Sequence, residues 1–160
     1  MQRRARFLAL ALLLAGCGPA PAALAPGQVA VTIRGHRILA EVADTEEKKH
    51  LGLGGRDGLA PDHGMLFPYP VADRYAFWMK GMRFDIDIVW IRGERVVSLS
   101  ERAPHPQGPG VDDAALPEFR PTEPADRVLE VEAGTAARLG WRPGDAVRFE
   151  PPLERGEAGG

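Results

Sequence analysis

Asparagine is missing from this 160-residue chain, serine occurs only at Ser98 and Ser100, and cysteine only at Cys17. Each shortage removes a kind of chemistry. With two serines, both in a predicted strand, and no Gly-x-Ser-x-Gly elbow, serine hydrolysis has no nucleophile to use. One cysteine cannot build a disulfide framework. The four histidines (His36, His50, His63, His105) show neither His-x-His nor His-Glu-x-x-His spacing. A zinc site would need ligands gathered from distant loops, so each histidine reads as a surface residue and no metal or cofactor is expected. The glycines of "HLGLGG", residues 50 to 55, are not followed by Gly-Lys-Ser/Thr, so they are no phosphate loop. Lysine is scarce as well, 3 against 17 arginines. With 15 prolines and no asparagine this points to a thermophile or to a GC-rich genome. The formal charge is −2 and the expected folded domain has no basic cluster, which gives no footing for nucleic acid.

What is present starts with an address. "MQRRAR" is basic, and "FLALALLLA", Phe7 to Ala15, is an apolar run of nine residues. That is too short to cross a hydrocarbon core of about 30 Å as a helix, but it suits a secretory signal. "LAGC", Leu14 to Cys17, is the lipobox pattern of bacterial lipoproteins, in which the cysteine is acylated and becomes the mature N-terminus. The expected organisation is a signal peptide over 1–16, a Pro/Ala/Gly tether over 17–27 anchored by lipid on Cys17, a single folded domain over 28–150, and a disordered tail over 151–160. The expected location is the outer face of a bacterial membrane, in the cell envelope, with the membrane as partner through Cys17. Losing Arg3, Arg4 and Arg6 with the signal takes the formal charge from −2 to −5.

The folded part reads as mainly β. "QVAVTIRGHRILAEVA" alternates as a hairpin turning around "RGHR", residues 34 to 37. "DTEEKKHLGLGG" offers Asp44 as cap and Glu47 as capping-box partner of a short helix that Gly52 or Gly54 ends. Met65 to Phe67 is a short apolar segment. From Phe84 to Ile91 the even positions are all apolar, a strand with one fully buried face. A two-residue turn at Gly93-Glu94 then sets Arg92 opposite Arg95, Trp90 opposite Val97, Ile88 opposite Leu99, Asp87 opposite Ser100 and Asp85 opposite Arg102. Residues 103 to 124, rich in proline, form a long irregular loop. "RVLEVEAG" is a strand, "TAARLG" one helical turn, "WRPGDAVRFE" a turn and a last strand. About seven short strands with one or two short helices predict a compact β-sandwich or barrel.

Carboxylates and sulfur carry the remaining chemistry. Asp87, an acid inside an apolar strand, either bonds backbone N–H groups or pairs with Lys80. In a hydrolase-type enzyme it would act as base, with Lys80 as electrostatic stabiliser and Glu101, Asp112 or Asp113 as a second carboxylate. A copper alternative would place Cu(I) on Met65, Met79 and Met82 beside Trp78, with His63 in reach. Methionines near aromatics ordinarily just fill a core.

Four stretches, "GLAPDHGMLFPYP", "FWMKGMRFDIDIVWI", "VLEVEAG" and "LGWRPGDAV", together resemble the family of domain of unknown function 192. The resemblance spans residues 29 to 149 and falls on Gly64, Met65, Phe67, Phe77, Trp78, Met79, Lys80, Asp87, Glu130, Gly134, Gly144 and Asp145. This chain departs from the pattern at Asp85, where the family usually has proline, at Leu53, where it has methionine, and in lacking the cysteine pair some members carry in the long loop. The resemblance implies a compact, often exported β-domain with no established activity. The expected role is therefore a monomeric extracytoplasmic module that binds a small anionic or saccharide ligand, or a partner peptide. Met65, Trp78, Met79, Lys80 and Asp87 would line the site, with the loop at 103 to 124 over it and no catalytic residue assigned.

Overall fold

The computed structural model describes residues 23 to 107 and 115 to 153. The segment expected as signal peptide and most of the expected tether, with Cys17, Asp112, Asp113 and the end of the expected tail, lie outside the described residues. Among the described residues, nine strands and two short helices follow one another: β1 (Gln28–Ile33), β2 (His36–Val42), α1 (Glu46–Leu51), β3 (His63–Asp73), β4 (Phe77–Trp78), β5 (Ile86–Arg92), β6 (Arg95–Ala103), β7 (Glu118–Phe119), β8 (Ala125–Glu132), α2 (Thr135–Leu139) and β9 (Val147–Glu150).

Seven of the strands form one curled sheet in the order β6-β5-β8-β3-β2-β1-β9, and β4 pairs with β7 in a small second sheet. The chain is thus mainly β, as expected. The curl brings the two sheet edges together at one end. There Val96 donates from its N–H to the Asp145 carbonyl, Gly144 to the Val96 carbonyl and Val147 to the Glu94 carbonyl, at 2.8–2.9 Å. These bonds satisfy backbone groups that an open edge would leave unpaired.

Period-two alternation gives the sheet two apolar faces. The inner face gathers Val29, Val31, Ile33, Ile38, Leu66, Val89, Ile91, Leu129, Val131 and Phe149, with Ala136 and Trp141 from α2 and the turn after it. The outer face gathers Met65, Phe67, Phe77, Met79, Met82, Ile86, Ile88, Trp90 and Val128. Strand β5 lies between β6 and β8, and every residue from Ile86 to Ile91 is buried. The expectation of a single buried face there is corrected: β4 and the loop after it, through Phe77, Met79 and Met82, cover the second.

Several other expectations are also corrected. The strand through Met65–Phe67 runs on to Asp73, and its register with β8 shifts between Pro68 and Asp73. Proline cannot donate to a ladder, so a bulge there keeps the strand going. The β5–β6 turn is as expected, with Arg92 opposite Arg95. The register then slips by one residue between Trp90 and Ile91, so Trp90 faces Ser98 and Ile88 faces Ser100. Helix α1 is capped by Thr45, whose Oγ1 accepts from the Lys48 N–H at 3.2 Å. Asp44 sits one residue too early for that role and pairs with Lys48 Nζ at 2.6 Å. The loop at 103 to 124 is only partly irregular, because it contributes β7.

Candidate functional site

Two buried carboxylates flank the sheet, one on each face. Asp87 points inward and is 0% exposed. Its Oδ1 accepts from the N–H of Arg102 at 2.8 Å and of Gly134 at 3.1 Å, and its Oδ2 from Ala136 N–H at 2.8 Å. It therefore pins α2, which closes one end of the barrel-like sheet, to β5 and to the end of β6. The backbone-bonding alternative for Asp87 is the one the structure shows. Asp87 and Lys80 do not meet in a common hollow, because Asp87 is enclosed on the inner face and Lys80 stands on the outer one. Asp85 does not face Arg102 either. Its Oδ1 accepts from the His105 N–H at 2.8 Å and lies 2.6 Å from His105 Nδ1, contacts that hold its carboxyl below the usual range.

Glu130 points the other way. It sits opposite Ile88 in the β5–β8 ladder and opposite Met65 in the β3–β8 ladder, so it shares the outer face with both. It is 5% exposed, and its Oε2 is buried without a hydrogen-bond partner. Burial pushes its pKa up to about 8, so at neutral pH the protonated form predominates. Gly64 lets its strand lie this close: a Cβ at position 64 would come 2.5 Å from the Glu130 carbonyl oxygen.

Above Glu130 opens a hollow of about 250 Å³. Its walls are Phe67, Tyr69, Ala76, Phe77, Trp78 and Met82, with Leu51 to Leu53 on one side, and Glu46, Lys49, His50 and Lys80 stand around it. Tyr69 stacks on Tyr75 with centroids 3.7 Å apart, and Lys49 Nζ lies 4.7 Å from the Tyr69 ring. Burial raises the Tyr69 hydroxyl to about 12, so it stays protonated. Phe77 meets Phe67 and Trp90 edge to face at 5.0 and 5.4 Å, which fixes the inner wall. Trp78, the next residue along, points out and is 49% exposed, with Lys80 Nζ 5.5 Å from its ring. Strand β7 holds this segment in place by setting Glu118 opposite Trp78. The glycines after α1 position Lys80 from the other side: a Cβ at Gly54 would lie 3.5 Å from the Lys80 carbonyl, and Gly55 N–H donates to Gly81 at 2.8 Å.

Of the expected site residues, then, Trp78 and Lys80 line the hollow. Met65 and Met79 are core side chains in the same apolar cluster, and Met82 alone among the three methionines reaches the lining. His63 borders a different depression, beside Asp62 and Arg138. Among the described residues no group of three or more His, Cys, Asp or Glu side chains could hold a metal ion. Glu130 is not among the expected site residues, although it carries the same sequence signal as Asp87: an acid between Leu129 and Val131 in an apolar strand.

These features define a small curled-sheet β-domain with a buried, unsatisfied acid at the foot of an aromatic hollow. The chain belongs to the DUF192 family ("Uncharacterized ACR"), whose model matches residues 29–149. Among solved structures it is similar to a Sinorhizobium meliloti 1021 protein described as a proposed transcription regulator, at 28% identity and a TM-score of 0.65, covering 78% of this chain and 94% of that one. It is also similar to a protein of unknown function from Novosphingobium aromaticivorans DSM 12444, at 29% identity and a TM-score of 0.65, covering 81% of this chain and 94% of the other. No curated protein matches.

Proposed function

We propose that this domain binds a small polar ligand in the hollow above Glu130, and that it does so outside the cytoplasm, held to a membrane by lipid on Cys17. The observation that carries the reading is the buried, unbonded Oε2 of Glu130 beneath an exposed indole. Leaving a buried polar atom unsatisfied costs about 1–3 kcal/mol, a cost that a ligand hydroxyl would remove. A protonated carboxyl both donates and accepts, which suits a hydroxyl partner. The volume of about 250 Å³ falls below the roughly 300–1,000 Å³ of sites for drug-sized ligands. A single saccharide ring laid on Trp78 fits that size, with a carboxylate substituent directed at Lys80 and Lys49.

The hydrolase alternative loses its base, because the Asp87 oxygens are held by backbone N–H groups. The copper alternative has one thioether, that of Met82, at the lining. The regulator description stays with the S. meliloti protein, since a hollow of this size does not read a nucleic acid.

Trp90 and Trp141 are buried, so fluorescence changes on ligand addition report mainly Trp78. Titrating the full chain with glucuronate, muramic acid and N-acetylglucosamine should quench emission, most strongly for the two acidic sugars. Trp78→Ala and Glu130→Leu, which removes both donor and acceptor, should each weaken binding at least tenfold. Absence of binding by every sugar, or binding indifferent to both changes, would discard the proposal. Acylation is tested separately: wild type should incorporate labelled palmitate when expressed in a bacterium, and Cys17→Ser should not.

A further inference from the structure

We infer a second site, for a phosphate-class oxyanion, where the two edges of the curled sheet meet. Arginines dispersed along the sequence converge there: Arg34 after β1, Arg92 and Arg95 on either side of the β5–β6 turn, and Arg148 on β9 line one concave surface with Thr32 and Glu94. Two of the four have structural duties. Arg34 pairs with Asp145 at 3.2 Å, and Arg95 donates to the Gly144 carbonyl at 2.6 Å. Both brace the turn that closes the seam. Arg92 and Arg148 have no hydrogen-bond or ion-pair partner among the described residues, and both are exposed.

The placement of Arg92 is costly for folding. It sits directly opposite Arg95 in the β5–β6 ladder, and like charges in that position destabilise a sheet. No hydrogen-bond or ion-pair partner among the described residues offsets it. An incoming anion does. The guanidinium fork matches phosphate oxygens in a bidentate way, and one doubly charged group between Arg92 and Arg148 would turn repulsion into attraction. The single acid on this surface, Glu94, leaves the balance positive in a chain whose formal charge is −2. Four arginines, two already engaged, fall short of the roughly six to ten phosphate contacts of a duplex-binding surface. The geometry favours one phosphate or pyrophosphate group, whether free or on a lipid headgroup.

The test uses the full chain carrying Cys17→Ser, so that no acyl chain can hold it to a vesicle. Inorganic pyrophosphate is titrated calorimetrically at low salt, and sedimentation is measured with vesicles of phosphatidylglycerol and of phosphatidylcholine. Arg92→Ser combined with Arg148→Ser should weaken pyrophosphate binding at least tenfold, whereas Arg83→Ser, at the other end of β5, should leave it unchanged. Sedimentation with phosphatidylglycerol alone, competed by pyrophosphate, assigns the headgroup as source; pyrophosphate binding without sedimentation assigns a free phosphate. The melting temperature of Arg92→Ser should hold or rise. Binding of neither probe, equal loss in Arg83→Ser, or a lowered melting temperature with binding intact overturns the inference.

Discussion

Asp87 and Glu130 are both buried acids on neighbouring strands of one sheet, yet their surroundings differ in kind. Asp87 faces the interior of the curl, where each oxygen already accepts from backbone N–H groups of β6 and of the α2 entrance. Both oxygens are already engaged by backbone donors. Glu130 faces the outer layer, where Oε2 has no partner and a hollow opens above it. Burial alone does not separate a structural acid from a functional one. What separates them is whether the oxygens are already occupied, since an unsatisfied buried group costs free energy that only some other role can justify.

A large stability effect is expected on the inner face. Asp87→Asn turns one of the two accepting oxygens into an amide NH2, setting donor against donor and leaving at least one buried backbone N–H of β6 or of the α2 entrance unmet. Stability should fall by about 3 kcal/mol, with a melting temperature lower by about 10 °C. Ligand affinity per folded molecule should be unchanged. A variant as stable as wild type but unable to bind the sugars would reverse the roles assigned to the two acids.

A pH effect of larger size lies on the outer face. Glu130 has an ordinary pKa of 4.5 and a folded one of about 8, raised by burial. Between those values the folded protein holds a proton that the unfolded chain has lost. This contribution is therefore complete below pH 4.5 and declines as pH rises, disappearing above pH 8. At about 1.4 kcal/mol per pKa unit the shift amounts to on the order of 5 kcal/mol. Glu130→Gln, which cannot ionise, should flatten this ramp in denaturant titrations from pH 5 to 9 and be the more stable protein at the alkaline end. Parallel curves for the two proteins would mean that Glu130 does not titrate as its burial implies.

The architecture was legible wherever periodicity and turn chemistry act locally. The first hairpin, the Arg92–Arg95 turn and the short helix before Gly140 all follow from spacing. The β5–β6 bulge was not, because a one-residue slip costs nothing that alternation can register: Val97 and Ser98 are both tolerable in a strand. Long-range convergence was harder still. That Lys80 leans on Gly54, or that four dispersed arginines share one seam, depends on how the sheet curls. Asp87 and Glu130 look alike in sequence, since each is an acid in an apolar strand. Their difference arises from the partners that α2 and the end of β6 supply to one and withhold from the other.

The smallest stability effect, and the one that most directly ties the hollow to function, belongs to the exposed indole. Trp78 is 49% exposed and its neighbour Phe77 is 9% exposed, so two adjacent aromatic residues have opposite dependencies. Phe77→Ala would remove a ring packed edge-on to Phe67 and Trp90 and should cost about 3–5 kcal/mol. Trp78→Ala gives up mostly surface already wet and should cost less than about 1 kcal/mol. If the outer face exists to hold a ligand, the inexpensive residue is the one that binding requires. Urea unfolding and sugar titration of Trp78→Ala, the latter followed by calorimetry once the reporter indole is gone, should show a nearly intact fold with binding lost. A large stability loss would make Trp78 part of the scaffold, as Phe77 is, and would leave Glu130 buried for a reason other than a ligand.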